Sequence, residues 1–269
     1  MDLKSKKLAI IGGGNLGVAL ARGIAAKKLI ASSNITVTRR KVGALESMKA
    51  EGFYVTEDNT EAVSKSDIVI IAVQPKQLLG VLDQIRDSIH GTHLIISTLA
   101  GTPISVIQEG LKTEVTVLRA MPNTASAVGE SITCLAGDAS LSKELAVAES
   151  IFQSIGDTLL IEENLMKAAT VLGASGIAFF MRYLRAATQG GIQMGFHPEE
   201  AQRIAVQTAK GAAMLIQQHQ SHPELEIDKV TTPQGCTIEG LNEMEHEGFS
   251  SALIKGLMTS YYKLDKIRL

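Results

Sequence analysis

The sequence predicts an α/β protein in which an N-terminal, doubly wound parallel sheet is followed by an all-helical domain. Three observations carry this expectation. Short apolar runs alternate with amphipathic segments through the first 163 residues, a glycine cluster follows the first of those runs, and from Asn164 onward the strand signal stops. A length of 269 residues suits two domains of ordinary size, which we place at 1–163 and 164–269.

The expected strands are Leu8 to Ile11, Ile35 to Thr38, Asp67 to Val73, His93 to Leu99 and Val115 to Leu118. Two more, Ser131 to Leu135 and Thr158 to Ile161, bracket a helix from Leu141 to Ser154. Runs such as Ile68 to Val73 and Leu94 to Ile96 are continuously apolar, as strands covered by helices on both faces should be, so they belong at the centre of the sheet. Helices are then expected over Leu165 to Met194, Pro198 to Gln218, Glu224 to Lys229, Ile238 to His246 and Ser250 to Ile267. Pro198 suits a first helical turn, and Gly248 suits a stop. Clusters of small residues, including Gly190, Gly191, Gly211, Ala212 and Ala213, would let helices approach closely, within one chain or between intertwined subunits.

Composition excludes several classes of partner. With 20% charged residues and a formal charge of -2, nothing draws the chain to nucleic acid or an anionic membrane. The nearly uncharged run from Ala168 to Met181 is shorter than the ~20 residues a membrane span needs, and it reads as a buried helix. No signal-peptide cleavage pattern follows the amino terminus, and Cys134 and Cys236 lack metal or disulfide spacing, so the cytoplasm is expected. His90 with His93, and His219 with His222, have no third ligand beside them and read as solvated loop or helix-end residues. No metal is expected.

Gly12-Gly13-Gly14-Asn15-Leu16-Gly17 directly follows the first strand and opens a helix, the context in which this spacing binds a dinucleotide in a Rossmann unit. The first glycine permits the turn, the second admits a pyrophosphate, and the third lets the helix pack on the strand. Phosphates would meet free N–H groups at the positive end of the helix dipole. After Thr38 come Arg39, Arg40 and Lys41, with no carboxylate to bind a ribose 2'-hydroxyl. Clustered cations suit a 2'-phosphate, so NADP(H) is favoured and NAD(H) is left open as a second cofactor. Ala72-Val73-Gln74-Pro75, Ala100-Gly101 and Met121-Pro122-Asn123 lie at carboxyl ends of strands, where open α/β sheets bind ligands.

These motifs, with Asp67 to Pro75, Arg119 to Thr124 and the late segment Val230-Thr231-Thr232-Pro233-Gln234-Gly235-Cys236-Thr237-Ile238-Glu239-Gly240-Leu241, resemble those of the pyrroline-5-carboxylate reductase family over essentially the whole chain. The late segment is similar to the family signature around SPGGTT. The resemblance implies a helical dimerisation domain, a homodimer as minimal unit, and reduction of the cyclic imine 1-pyrroline-5-carboxylate to L-proline between the cofactor of one subunit and the helical domain of another. It also implies that Asn59 binds the adenosine part of the cofactor; read alone, Asn59 is a helix N-cap. Ser175 is assigned to substrate binding by its place in the segment similar to GSGPAY.

Imine reduction needs orientation, a carboxylate cradle and a partner for the ring nitrogen more than a strong acid. Thr237 is the candidate catalytic residue, and Thr232, Gly235, Cys236 and Thr237 form the candidate cradle; alone, the threonines could equally be helix caps. Departures from the family pattern are Gln234 for glycine, strained if its φ is positive, Cys236 for a small residue, and a missing proline after Gly176, which should straighten that helix. Alternatives are a β-hydroxyacid dehydrogenase, disfavoured because no lysine lies between Ala168 and Gly195, and a non-catalytic NADP(H)-binding regulator.

Overall fold

The computed structural model describes residues 3–265. Its elements run β1 (Leu8–Ile11), α1 (Asn15–Ala26), β2 (Ile35–Thr38), α2 (Glu46–Ala50), β3 (Tyr54–Thr56), α3 (Asn59–Ser64), β4 (Ile68–Ile71), α4 (Leu78–Ile85), β5 (Leu94–Ser97) and α5 (Ile104–Leu111). They continue with β6 (Thr116–Met121), β7 (Ser131–Ala136), α6 (Ser142–Phe152), β8 (Gly156–Leu160) and α7 (Met166–Ala169), and then the helices α8 (Gly176–Gln193), α9 (Pro198–His219), α10 (Pro223–Val230), α11 (Cys236–His246) and α12 (Phe249–Leu264).

The eight strands form one sheet in the order β3-β2-β1-β4-β5-β6-β7-β8, parallel except where β6 meets β7. Side-chain alternation sorts its core into two layers. Leu8, Ile10, Ile68, Ile70 and Ile96 meet Leu20 and Ile24 of α1 and Ile151 and Phe152 of α6. Ala9, Ile11, Val69, Ile71 and Ile95 meet the other layer, made by Val63, Leu82, Ile85 and Ile107. Each such Leu, Ile, Val or Phe taken fully out of water contributes about 1.5–3 kcal/mol, which is why β1 and β4 carry no polar residue. Strand order reverses between β1 and β4, and the crevice beyond their carboxyl ends is where an open sheet of this kind receives a ligand.

The structure adds one strand the apolar pattern does not reveal. β3 has three residues, lies at the sheet edge and is half exposed, too short for an alternation to register. The expected continuous helix from Leu165 to Met194 is instead α7, a π-helical stretch over Thr170–Ser175, and α8. Loss of the proline therefore does not leave a regular helix: the wider turn falls on Gly173 and its small neighbours. The part of the last expected helix from Lys266 to Ile267 lies outside the described residues. His93 is buried rather than solvated, because its Nδ1 accepts the His90 backbone N–H at 2.9 Å in the turn before β5.

Two compact units result: the described residues through Ser175, joined by those from Ser260 onward, and Gly176–Thr259. In the second, α8 and α9 approach so closely that a Cβ at Gly191 would stand 2.8 Å from that of Ala201, which explains the small residues there. Little else in this unit is buried. Ile254 is 58% exposed, and Phe180 at 50% and Met181 at 59% show that the run expected to be a buried helix presents apolar side chains to its surroundings. The continuous helical span Glu163–Gln193 is also 31 residues long, enough by length and composition to cross a membrane, which the shorter uncharged run did not suggest.

Candidate functional site

The first unit carries a cleft of about 930 Å3 beyond the carboxyl ends of β1, β2 and β4. Its floor is the glycine loop. Gly12 has φ +116° and a Cβ there would lie 2.4 Å from the Ala72 carbonyl oxygen, so only glycine lets β1 turn beside β4. Gly17 packs its α carbon against the same turn: a Cβ would stand 2.1 Å from the Gly12 oxygen. Gly14 differs, since a Cβ there meets nothing within 4 Å. Neither a turn nor packing requires glycine at that position, and its bareness leaves room for something outside the protein.

Gly14 is also the N-cap of α1 and offers no side chain to the first-turn N–H groups of Asn15, Leu16 and Gly17. Those donors and the helix dipole point to an anion. The far wall is the end of β2. Arg39 donates from Nη1 to the Gly13 oxygen at 2.9 Å, tying this wall to the loop, while the side chains of Arg40 and Lys41 have no partner among the described residues. A bare glycine, a helix start without a side-chain cap and uncommitted cations together fit a dinucleotide with a further phosphate.

Asn59 lines the cleft too, but it is not the N-cap of α3. Asp58 fills that place, accepting from the N–H groups of Thr60 and Glu61 at 2.9 and 3.0 Å. This frees the Asn59 carboxamide to accept from Thr38 Oγ1 at 2.6 Å and to donate to Gln84 at 2.7 Å, which fixes its plane at the cleft edge. Ala72, Val73 and Gln74 line the cleft as well; Gln74 caps the 3-10 turn that Pro75 begins. Missed by sequence reasoning were Glu57, Gln77 and Gln84. Recognising β3 as a strand would have flagged Glu57, because it follows that strand's carboxyl end.

The remaining expected cofactor residues stand outside this cleft's lining. Gly101, after Ala100, takes φ +69° in the turn beyond β5. Met121, Pro122 and Asn123 are buried. Asn123 is hydrogen-bonded within the protein, its side chain donating to the Gly173 oxygen at 3.2 Å and accepting from Ala125 N–H at 2.9 Å. Two residues before Met121, Arg119 is buried beside Glu163 at 3.4 Å, and that carboxylate also caps α5 through Ile104 N–H at 2.8 Å. Desolvation lowers the Arg119 pKa despite the adjacent carboxylate. Arg119 thus braces the strand that carries Met121, and does not face the cleft.

The substrate segment belongs to the second unit, whereas Ser175 ends the π-helical stretch in the first. Gly235 N–H donates to the Thr232 oxygen at 2.9 Å, closing a turn with Pro233 and Gln234 at its centre. Gln234 has φ +58°, so the turn is type II and places a glutamine where glycine is preferred. A Cβ on Gly235 would stand 2.5 Å from Thr232 Oγ1 and 3.0 Å from the Thr232 carbonyl oxygen, so a side chain there would displace the Thr232 hydroxyl. Gly235 then caps α11 without a side-chain hydrogen bond, leaving the N–H groups of Cys236 and Thr237 open in the first turn. The Thr232 and Thr237 hydroxyls make no hydrogen bond among the described residues, so neither acts as a cap. Cys236 is exposed and free.

Comparison with known proteins decides the family. The chain is 45% identical to pyrroline-5-carboxylate reductase 2 of Dictyostelium discoideum, over 98% of this chain and 94% of that one. It belongs to the pyrroline-5-carboxylate reductase family. The pyrroline-5-carboxylate reductase of Synechocystis is 35% identical over 98% of each chain. Pyrroline-5-carboxylate reductase 1 of Dictyostelium discoideum is 48% identical, and the chain spans 49% of its length. Residues 7–101 match a family profile described as NADP oxidoreductase coenzyme F420-dependent, and residues 163–267 match one for pyrroline-5-carboxylate reductase dimerisation. Among solved structures, the pyrroline-5-carboxylate reductase of Coxiella burnetii has a TM-score of 0.90 at 27% identity, covering 97% of this chain and 98% of that one. The Plasmodium falciparum pyrroline carboxylate reductase with NADP bound has a TM-score of 0.88 at 25% identity and the same coverage.

Proposed function

We propose that this pyrroline-5-carboxylate reductase family member reduces 1-pyrroline-5-carboxylate to L-proline with NADPH. The observation that supports this most is its near-full-length likeness to reductases of that name. The division of labour follows the two regions, with 1–163 for cofactor binding and 164–269 for substrate binding and dimerisation. When bound, NADPH supplies the hydride that reduces the C=N carbon. The chain's own residues bind and orient. N–H groups at the start of α1, over the bare Gly14, hold the pyrophosphate, and Arg39 and Arg40 hold the 2'-phosphate. N–H groups of Cys236 and Thr237, with the Thr232 hydroxyl, hold the substrate carboxylate, while the expected Gly235 N–H is taken by the Thr232 carbonyl oxygen.

The Thr237 hydroxyl accepts from the N–H of the protonated imine and keeps that proton on the ring nitrogen as the positive charge is quenched. Ser175 contributes to substrate binding by its place in the family pattern. A second copy of the chain covers the apolar side chains left exposed on α8 and α12, making a homodimer the minimal unit of a soluble, cytoplasmic enzyme. The purified chain should consume NADPH only when pyrroline-5-carboxylate is added, with an equal yield of proline. Cofactor binding without any turnover would instead favour a non-catalytic regulator.

A further inference from the structure

We propose that Glu57 sets which nicotinamide cofactor the cleft accepts, by accepting hydrogen bonds from the ribose hydroxyls of NADH and opposing the 2'-phosphate of NADPH. This rests on the cofactor reading above. Glu57 is brought to the site by the edge strand that the apolar pattern conceals. β2 and β3 run parallel with Thr38 opposite Thr56, and the Arg39 N–H continues the ladder to the Thr56 oxygen at 3.0 Å. The chain therefore leaves β3 alongside Arg39, and Glu57 lines the same cleft as Arg39, Arg40 and Lys41.

Neighbouring acids are already committed. Asp58 caps α3, and Glu61 accepts from Tyr54 at 3.0 Å and Lys65 at 2.7 Å. Glu57 makes no hydrogen bond or ion pair among the described residues, even with the cations that share its cleft. A carboxylate in that position is an acceptor for a ribose diol, the role an acid commonly plays at NAD sites, while the arginines suit the phosphate. Both recognition elements stand in one cleft, just beyond the ends of β2 and β3, so the chain should accept both cofactors, with Glu57 as the balancing charge.

The test is the dissociation constant of NADPH and of NADH, measured by fluorescence titration of the full chain and its Glu57→Gln variant. Glutamine keeps the shape, loses the charge and lies at an exposed position, so the fold should persist. We expect NADH binding to weaken by roughly 3- to 10-fold, in line with an exposed charged hydrogen bond. NADPH binding should tighten several-fold, and that gain should shrink as salt is raised. Equal shifts for both cofactors, or none, would overturn the proposal. Failure of the wild-type chain to bind either would overturn the cofactor reading itself.

Discussion

Gly14 and Gly17 share one loop but should respond in opposite ways to alanine. A methyl at Gly17 would sit 2.1 Å from the Gly12 oxygen, so the backbone of β1 or α1 has to move. Overpacking of this kind costs about 1–3 kcal/mol, and better helix propensity at the third residue of α1 returns about 1 kcal/mol. A net loss of up to about 2 kcal/mol lowers Tm by up to roughly 8 °C in a chain of this size. At Gly14 the backbone is ordinary, with φ -84°, and the methyl meets nothing within 4 Å. As an N-cap change it should lower Tm by no more than about 3 °C. The methyl nevertheless fills the space where the pyrophosphate approaches, and the NADPH dissociation constant should rise at least tenfold, about 1.4 kcal/mol. Thermal melting and fluorescence titration of both variants separate the two effects. A Gly14→Ala protein that binds NADPH like wild type would refute the assignment of the pyrophosphate to this loop.

Thr237→Ala should lower kcat by one or two orders of magnitude, roughly the loss of one positioned hydrogen bond, with the KM for NADPH unchanged; unaltered steady-state kinetics would remove its role. Arg39→Ala combined with Arg40→Ala should raise the KM for NADPH far more than that for NADH, and equal effects would show that neither reads the phosphate. Gln234→Gly should raise Tm by roughly 2–4 °C, because it relieves about 1 kcal/mol of left-handed backbone strain at φ +58°. A lower Tm would mean that the glutamine side chain makes a stabilising contact.

What the sequence reveals depends on how strongly each element is constrained. β1, β4 and β5 are buried on both faces, and their uninterrupted apolar runs announce them. The glycine loop is legible for the same reason, since a Cβ at Gly12 or Gly17 would run into backbone oxygen. β3 is hidden because three residues at an exposed edge carry no period, and Glu57 is hidden with it. Asn59 and Asp58 are adjacent and chemically equivalent as caps, so only backbone placement shows that Asp58 takes the role. The π-helical stretch barely alters helical spacing and leaves no trace in the pattern. Amphipathic helices announce an apolar face without saying whose residues cover it, and so the pattern alone leaves open whether the apolar side chains of α8 and α12 pack within one chain or against another.

Reduction by this chain should pass a hydride directly from the bound nucleotide to the imine carbon. Its most direct test uses NADPH deuterated at the transferable C4 position, pyrroline-5-carboxylate and the full chain, with the proline analysed by mass spectrometry and NMR. One deuterium is expected, located at C5 of the product. Unlabelled proline, or no proline from a chain that demonstrably binds both ligands, would contradict it.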